Sequence, residues 1–190
     1  VWFDAPIGYI TFSQEYFEAQ NKPEMWKDFW QNPETGLVHF IGKDNTVFHA
    51  VIFPGMLFAH GDYRVADAVV VNEFLNLEGD KISTSRDYAV WVDEYLEAFP
   101  ADPLRYYLTA IAPETSDADF SWKQFQQRNN GELADNLGNF IQRNLTFCKK
   151  YFDGKVPETD KPTEAGEEVL REIEACRADM TEQLDGFHFK

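Results

Sequence analysis

The segment from residue 68 to residue 91 constrains the fold most strongly, because it places a strand, a polar loop and a helix start in direct succession. Its first part, Ala68 to Leu77, is an apolar run that predicts a strand, and the Glu-Gly-Asp tripeptide after it is typical of a turn. Residues 81–86 then alternate cations with hydroxyls. In open α/β sheets, ligands bind just outside the carboxyl ends of strands. The loop is therefore a candidate ligand site.

A helix is expected directly after the loop. Asp87 is placed to cap it, and Val90, Trp91, Tyr95 and Leu96 would form its apolar stripe. Because ammonium groups supply charge and hydroxyls supply donors, a loop before a helix can hold a chain of phosphates. The same residues are also typical of a solvated turn, and both interpretations stay open at this point.

Alternating helices and strands before the loop predict an α/β fold. Only His39 interrupts the apolar run of the earlier strand, and Pro54 should kink the helix that connects the two strands. Strands joined through a helix by short links pair in parallel, which predicts a doubly wound arrangement. The predicted elements are helices over 7–20, 23–31 and 45–59 and strands over 37–41 and 68–77.

From Ser121 onward the periodicity is helical. Ser121 and Gln124 form a capping box, which predicts a helix that continues to Phe152. A second helix is expected from Thr163 to Leu184. Two long amphipathic helices need further helices to cover their apolar faces, so this part predicts a segment of an α-helical bundle. The apolar stripe of the first helix consists of Leu133, Leu137, Phe140, Ile141, Leu145 and Cys148.

Composition limits the possible functions. The chain has no apolar run long enough to span a membrane and no basic-then-apolar leader, which favours a cytoplasmic location without membrane contact. Its formal net charge of −16 argues against a broadly basic nucleic-acid binder and leaves only a local basic surface for such a partner. Cys148 and Cys176 lack metal-ligand spacing and are expected to be buried thiols. The candidate basic surface comprises Lys123, Arg128, Arg143, Lys149 and Lys150.

Further motifs give the loop a family context. The run Asp102-Pro103-Leu104-Arg105-Tyr106-Tyr107 predicts another helix, with a capping aspartate and a proline in the first turn. With this motif downstream, residues 81–85 resemble the KMSKS loop of class I aminoacyl-tRNA synthetases, and the chain is most similar to the methionyl-tRNA synthetases. The resemblance also takes in Val1–Tyr9, Phe40–Asp44 and His49, in the family's order. Several motifs in order identify a family better than one motif alone.

The resemblance implies a fold and a domain organisation. Residues 1–115 would form the second half of a Rossmann-type catalytic domain, with half of its parallel sheet. Residues 116–190 would form the start of an α-helical anticodon-binding domain. The family's His-Ile-Gly-His motif and its zinc-bearing insertion do not occur in the sequence. We therefore expect a piece of a longer enzyme that needs the upstream half of the same chain, carries no zinc and is inactive alone.

For the amino acid, the resemblance implies a methionine pocket. Aromatic faces hold a flexible, polarisable thioether well, and a histidine or tyrosine can bond weakly to its sulfur. Asp44 matches an acidic residue near the ammonium group, although it could also cap the helix expected from Asn45. The alternative for the aromatic residues is ordinary core packing. The pocket positions are Trp2, Ala5, Pro6, Tyr9 and His49.

For ATP, the resemblance implies that the loop closes over the phosphates when the methionine carboxylate attacks the α-phosphorus. Lys81, Ser83 and Ser85 would be catalytic, because cations and donors stabilise the charge that leaves with pyrophosphate. Thr84 also belongs to the ATP loop but stands where the family has a second lysine. Either another cation such as Arg86 compensates, or activation is weaker. ATP would arrive with Mg²⁺, and the upstream ATP positions are Asn72 and Glu73.

For tRNA, Asn139 and Arg143 match an Asn-x-x-x-Arg pair that reads anticodon bases in the family. The two residues lie one helical turn apart on a polar face. Amide and guanidinium groups can bond the base edges of an unstacked RNA loop. A solvated helix face is the alternative.

The implied activity is that of a methionine–tRNA ligase, which forms methionyl adenylate from methionine and ATP and then transfers methionine to tRNA(Met). Two other functions stay open. A class I synthetase for another amino acid would not need the thioether-suited residues Trp2, Tyr9 and His49. A non-catalytic RNA-binding module would need the helical part but neither Lys81 nor Asp44.

Overall fold

The structure, a computed structural model, describes residues 4–158 and 163–189. The chain forms two compact units, Val1–Phe74 with Glu114–Ser116 and Leu75–Pro113 with Asp117–Lys190. The first unit carries the predicted methionine residues, and the second carries the predicted phosphate loop and anticodon residues. No helix in the described part of the chain is long and apolar enough to cross a membrane. The domain boundary expected between residues 115 and 116 stays a prediction.

Two helices begin the first unit. Helix α1 spans Gly8–Ala19 after a 3₁₀ turn at Ala5–Ile7, which is close to the predicted range. Helix α2 spans only Trp26–Trp30, because residues 23–25 form turns. The Trp30 indole N–H donates to the Ser13 hydroxyl at 3.0 Å and joins α2 to α1. The buried core of this unit consists of Ile10, Trp30, Phe53 and Leu57.

A parallel pair of strands lies beside these helices in the same unit. Strand β1 (Val38–Gly42) pairs with β2 (Ala68–Asn72) in parallel, which confirms the predicted pairing. Their connection is a π-helical segment, Phe48–Ile52, followed by helix α3 (Phe53–His60). Residues 46–60 are helical without interruption, and Pro54 directly follows the π-helical segment. The helix therefore continues through Pro54, and the kink expected there stays a prediction.

The strand predicted over 68–77 is in fact two strands. Strand β2 ends where its partner β1 ends, because the chain beyond that point has no backbone left to pair with on β1. Strand β3 (Leu75–Leu77) belongs to the second unit instead. It pairs antiparallel with β4 (Asp80–Lys81) and parallel with β5 (Ala118–Phe120).

Helices pack on this three-stranded sheet in the second unit. Tyr107 is 1% exposed, and its hydroxyl accepts the Ser121 N–H at 3.3 Å, so its polar atom is satisfied inside the core. The buried core consists of Leu77, Tyr95, Leu104, Tyr107, Ile111 and Phe120. Helices α4 (Val92–Ala98) and α5 (Ala101–Ala110) contribute to this core, and α6 (Trp122–Arg128) packs against it. A π-helical segment, Asn129–Gly138, leads from α6 to α7 (Asn139–Phe152), and α8 (Glu164–Asp185) follows.

The predicted helix cap at Asp87 is wrong. This residue has a left-handed φ of 53°, and its carboxylate accepts the Trp91 indole N–H at 3.0 Å. The chain therefore turns before α4, which begins at Val92. Helix α5 likewise begins at Ala101 and not after Asp102.

The capping box predicted at Ser121 is also wrong, although α6 does begin after that residue. The Ser121 side chain makes no capping bond, and the Glu78 carboxylate accepts the Trp122 N–H at 2.7 Å. A contact between residues 44 apart thus replaces the local cap. Helix α8 does have a local cap, because the Thr163 hydroxyl accepts the Gly166 N–H at 3.2 Å.

The apolar faces of α7 and α8 are exposed within the described residues. Phe140 and Leu145 on α7 are 67% and 63% exposed, and Ile173 on α8 is 55% exposed. Cys176 on α8 is exposed as well, so its prediction as a buried thiol is wrong, whereas Cys148 is partly buried. The observed fold thus combines many helices with two small sheets.

Candidate functional site

A hollow of about 400 Å³ in the first unit brings four of the predicted methionine residues together. Its size falls in the range of small-molecule sites. Ala5, Pro6, Tyr9 and His49 line it, whereas Trp2 lies outside the described residues. The other lining residues are Phe12, Phe40, Ile41, Gly42, Asn45 and Phe48.

A hydrogen bond joins Tyr9 to His49 at this hollow. The Tyr9 hydroxyl lies 3.0 Å from His49 Nε2, and His49 Nδ1 lies 3.0 Å from the Asn45 carbonyl oxygen. A carbonyl oxygen only accepts, so Nδ1 carries the hydrogen of the neutral imidazole, and Nε2 accepts the Tyr9 O–H. His49 is 6% exposed and Tyr9 is 44% exposed. A buried histidine therefore holds a tyrosine ring that remains open to a ligand.

His39 joins this pair from strand β1. Its ring centroid lies 5.3 Å from that of His49, edge to face, and 5.8 Å from that of Tyr9. Phe53, 1% exposed, lies 6.1 Å away on a third side. Burial lowers the pKa of His39 below its ordinary value, and the neighbouring His49 lowers it further. The cluster thus favours a neutral His39.

The lowered pKa of His39 predicts a pH-dependent loss of stability. An unfolded histidine titrates near pH 6.5, so below that pH the unfolded chain binds more protons than the folded chain. Stability from the neutral His39 is present above about pH 6.5 and is lost as the pH falls toward the lower folded pKa. Urea unfolding at pH 7.5 and at pH 5.5 gives the free energy of unfolding at each pH. We expect this free energy to fall less between pH 7.5 and pH 5.5 in His39→Phe than in the unchanged chain. Equal losses in the two proteins would contradict the assignment.

Asp44 lies in a 3₁₀ turn, Lys43–Asn45, directly after β1. Its carboxylate is exposed and folds over Gly42, where a Cβ would stand 2.9 Å from Oδ1. Gly42 and Asn45 both line the hollow, so the carboxylate lies beside that hollow. The chain is helical without a break from Lys43 onward, and Gly42 occupies the N-cap position, so Asp44 lies inside the first helical turn and does not cap it.

The predicted ATP residues divide between the two units. Asn72 pairs with Gly42 at the carboxyl end of β2, and Glu73 forms an ion pair with Lys43 in the first unit. The Lys43 ammonium also lies 4.3 Å from the Phe74 ring centroid. The phosphate loop belongs to the second unit.

The loop itself is exposed and has a defined shape. Ser83 and Tyr88 exchange two backbone hydrogen bonds of 2.9 Å, which close the loop around a 3₁₀ turn at Thr84–Arg86. Lys81, Thr84 and Ser85 are exposed, and the Ser83 and Ser85 hydroxyls lie 3.2 Å apart. Ile82 and, at the base of the loop, Tyr88 pack against the core of the unit. The hydroxyls of Ser83 and Ser85 therefore form one polar group at the surface.

Asn139 and Arg143 lie together on the surface of α7. They line a shallow hollow of about 310 Å³ with Asp135, Asn136, Phe140 and Asn144. Tyr106 fixes the preceding π-helical segment to α5, because its hydroxyl donates to Glu132 at 2.5 Å. Arg143, Lys149 and Lys150 are exposed on α7, whereas Arg128 pairs with Glu132 at 3.4 Å. Part of the candidate basic surface is thus open to a polyanion.

Sequence reasoning missed several residues of the hollow. Phe12 and Phe40 line it and are 68% and 55% exposed, which is unusual for phenylalanine. Phe40 belongs to the Phe40–Asp44 motif but was given no role, and Phe12 had no signal, since exposure depends on the packing of distant elements. His39, which packs against Tyr9 and His49 behind the lining, had a signal as the one polar residue in an apolar strand.

Comparison with known proteins shows the family to which the chain belongs. The family model described as tRNA synthetases class I (M) matches residues 1–145. The chain is 57% identical to Methionine–tRNA ligase of Salinibacter ruber over 175 residues, or 90% of this chain and 24% of that protein. It is 55% identical to Methionine–tRNA ligase of Phocaeicola vulgatus over 192 residues, or 100% of this chain and 28% of that protein. The chain thus spans about a quarter of the length of these relatives.

Solved structures give the same relationship. The free-state methionyl-tRNA synthetase of Mycobacterium tuberculosis superposes with a TM-score of 0.74 at 26% identity, over 100% of this chain and 35% of that one. The same organism's enzyme bound by methionyl-adenylate gives a TM-score of 0.70 at 26% identity, over 80% of this chain and 30% of that one. With the family model matching three quarters of its residues, the chain belongs to the class I tRNA synthetases (M).

Proposed function

We propose that this chain is part of a methionine–tRNA ligase, in which it supplies the methionine pocket, the phosphate loop and the first anticodon-reading helix. The observation that carries the proposal is the hollow in which Ala5, Pro6, Tyr9 and His49 meet. Relatives of 55–57% identity that are called Methionine–tRNA ligase support the same activity. In this proposal, residues 1–115 are half of a Rossmann-type domain, and the rest begins the anticodon-binding domain.

The proposed methionine site uses the faces of aromatic rings. A thioether is polarisable and packs well against aromatic rings. Tyr9, held by His49, and the open rings of Phe12 and Phe40 supply such surfaces around one hollow. Trp2 would add a further ring. Asp44, beside Gly42, would attract the ammonium group of the amino acid.

The proposed first reaction is attack of the methionine carboxylate on the α-phosphorus of ATP. A bond forms between a carboxylate oxygen and phosphorus, and pyrophosphate leaves with the electron pair of the broken P–O bond. Lys81, Ser83 and Ser85 would stabilise the charge that grows on the leaving phosphates. Asn72 and Glu73 would lie near the nucleoside, and Thr84 would contribute a hydroxyl. A hydroxyl oxygen at the 3′ end of tRNA(Met) then attacks the carbonyl carbon of the adenylate. The methionyl group passes to that oxygen, and AMP leaves with the electron pair of the broken C–O bond and takes up the hydroxyl proton.

The proposed RNA contact lies on α7. Asn139 and Arg143 are exposed and share one hollow, so an amide and a guanidinium can approach the same unstacked bases. Exposed Lys149 and Lys150 farther along α7 would attract phosphates in spite of the overall acidic charge.

Magnesium belongs to the proposal only as the ion that accompanies ATP. Among residues 4–158 and 163–189, no group of three His, Cys, Asp or Glu side chains could hold a metal ion. The inactivity of the isolated chain and the cytoplasmic location both stay predictions.

Amino-acid-dependent ATP–pyrophosphate exchange by the full-length protein that carries this chain tests the proposal. Methionine, leucine, isoleucine and valine would each be the only amino acid present. We expect exchange with methionine, and a kcat/KM at least about 100-fold lower with the branched amino acids. Preference for another amino acid would indicate a different class I synthetase. Absence of exchange with retained tRNA binding would indicate a non-catalytic module.

A further inference from the structure

Position 84 sets the phosphate loop apart from the family pattern, because a threonine stands where the family has a second lysine. We propose that Arg86 supplies the missing second cation of the loop and contacts the departing phosphates of ATP. The inference rests on the proposed function, since it assigns a residue to the same ATP site. It predicts that the Arg86 guanidinium, and not the Thr84 hydroxyl, stabilises the phosphate charge that a second lysine would stabilise.

Arg86 lies in the part of the loop that faces solvent. It is the last residue of the 3₁₀ turn that begins at Thr84, and both residues are exposed. The paired backbone of Ser83 and Tyr88 closes the loop beneath this turn. The Tyr88 hydroxyl donates to the Leu77 carbonyl at 2.9 Å and ties the base of the loop to β3. The turn therefore has a fixed base and an accessible outer side.

The guanidinium folds back across the loop toward the residue that carries the first cation. Arg86 Nη2 donates to the Lys81 carbonyl oxygen at 3.1 Å. A guanidinium has five N–H donors in a planar fork. Holding one of them on a backbone carbonyl orients the fork and leaves donors for a phosphate. The Arg86 guanidinium is thus held beside the backbone of Lys81, the first cation of the loop.

The hydroxyls of the loop and the adjoining carboxylate of Asp87 fit the same assignment. Ser83 and Ser85 bring their hydroxyls to 3.2 Å of each other in the same turn region. Asp87, the next residue along the chain, directs its carboxylate to the Trp91 indole N–H at 3.0 Å. Its left-handed φ of 53° turns the chain toward α4 at this point. Cationic and hydroxyl donors are therefore concentrated within residues 81–86.

The chemistry of adenylate formation favours a guanidinium in this position. The bridging oxygen that leaves the α-phosphorus takes the electron pair, so negative charge grows on the β- and γ-phosphates. A preorganised cation stabilises this charge more in the transition state than in bound ATP. A neutral hydroxyl at position 84 can donate one hydrogen bond but adds no charge. Arg86 can supply both a charge and a bidentate contact.

Charge removal and charge relocation in the full-length protein test the inference. The variants are Arg86→Gln, Thr84→Lys and the double variant Thr84→Lys/Arg86→Gln, with Arg171→Gln on α8 as a control at an exposed site. Methionine-dependent ATP–pyrophosphate exchange is measured over a range of ATP and methionine concentrations. We expect Arg86→Gln to lower kcat by about 100-fold, with little change in the KM for methionine. In the double variant, the lysine at position 84 should raise kcat at least about tenfold above that of Arg86→Gln alone.

The possible outcomes separate the two proposals. An active wild type with Arg86→Gln within about twofold of it would overturn the role of Arg86 alone. A loss in Arg86→Gln that Thr84→Lys does not rescue would also overturn it, since Arg86 would then act only by holding the Lys81 carbonyl. A wild type without methionine-dependent exchange would overturn the proposed function and this inference together.

Discussion

Replacing His49 by alanine in the full-length protein should weaken methionine binding by about 30-fold, which corresponds to ~2 kcal/mol. The imidazole is 6% exposed, accepts the Tyr9 hydroxyl and donates to the Asn45 carbonyl. Its removal leaves two polar partners without their bonds and opens a space behind the tyrosine ring. The hollow would then lose the fixed ring that packs against the thioether. Equilibrium binding of methionine and the KM for methionine in pyrophosphate exchange both measure the effect.

Two further variants control for this result. Tyr9→Phe keeps the ring but loses the hydroxyl, so we expect a smaller effect of about fivefold, or ~1 kcal/mol. His60→Ala removes an exposed histidine at the end of α3 and should leave methionine binding unchanged. Methionine binding that is equally strong in His49→Ala and in the wild type would contradict the pocket.

Replacing Arg143 by alanine should separate the two steps of the enzyme. The guanidinium is exposed on α7 and shares a hollow with Asn139, at a distance in sequence from every residue assigned to methionine or ATP. A lost bidentate contact to a base weakens recognition by about 1–3 kcal/mol. We therefore expect kcat/KM for tRNA(Met) charging to fall by roughly 5- to 150-fold, while pyrophosphate exchange stays within about twofold of the wild type.

An arginine outside the proposed RNA face is the matched control. Arg171 lies on α8 and is 69% exposed, and Arg171→Ala should charge tRNA normally. Equal losses of charging and exchange in Arg143→Ala would indicate damage to the fold. Normal charging by that variant would remove the anticodon assignment.

Local sequence patterns predicted those elements whose stability comes from their own residues. Helix α8 carries its own cap at Thr163 and was predicted nearly in full. The parallel pairing of β1 and β2 also followed, because a helical connection between two apolar runs allows few alternatives. The cap of α8 is local, whereas the strand pairing joins residues 30 apart, such as Val38 and Ala68, and followed from the helical connection between them.

The features that were predicted wrongly depend on contacts and backbone conformations that a residue pattern does not show. The capping box at Ser121 failed because Glu78, 44 residues earlier, supplies the acceptor for the Trp122 amide. Asp87 failed as a cap because its carboxylate bonds to Trp91 in a left-handed turn. The strand that began at Ala68 divided because its partner strand was too short, which no pattern within the strand reveals.

In the candidate site, motifs predicted some residues, whereas others could be assigned only from the structure. The residues that line the hollow came largely from motif positions, and four of them do meet there. The ring of His39 was missed, because its packing on Tyr9 and His49 joins three separate elements. The role of Arg86 also needed the structure, since its bond to the Lys81 carbonyl cannot be read from the order of residues.

The position of bound selenomethionine in crystals of the full-length protein is the most direct test of the methionine pocket. Selenium in the free amino acid gives an anomalous signal that locates the atom corresponding to the thioether sulfur. We predict a selenium peak in the hollow lined by Tyr9 and His49, about 5 Å from the Tyr9 ring. A peak at another place in the protein, with this hollow empty, would contradict the account.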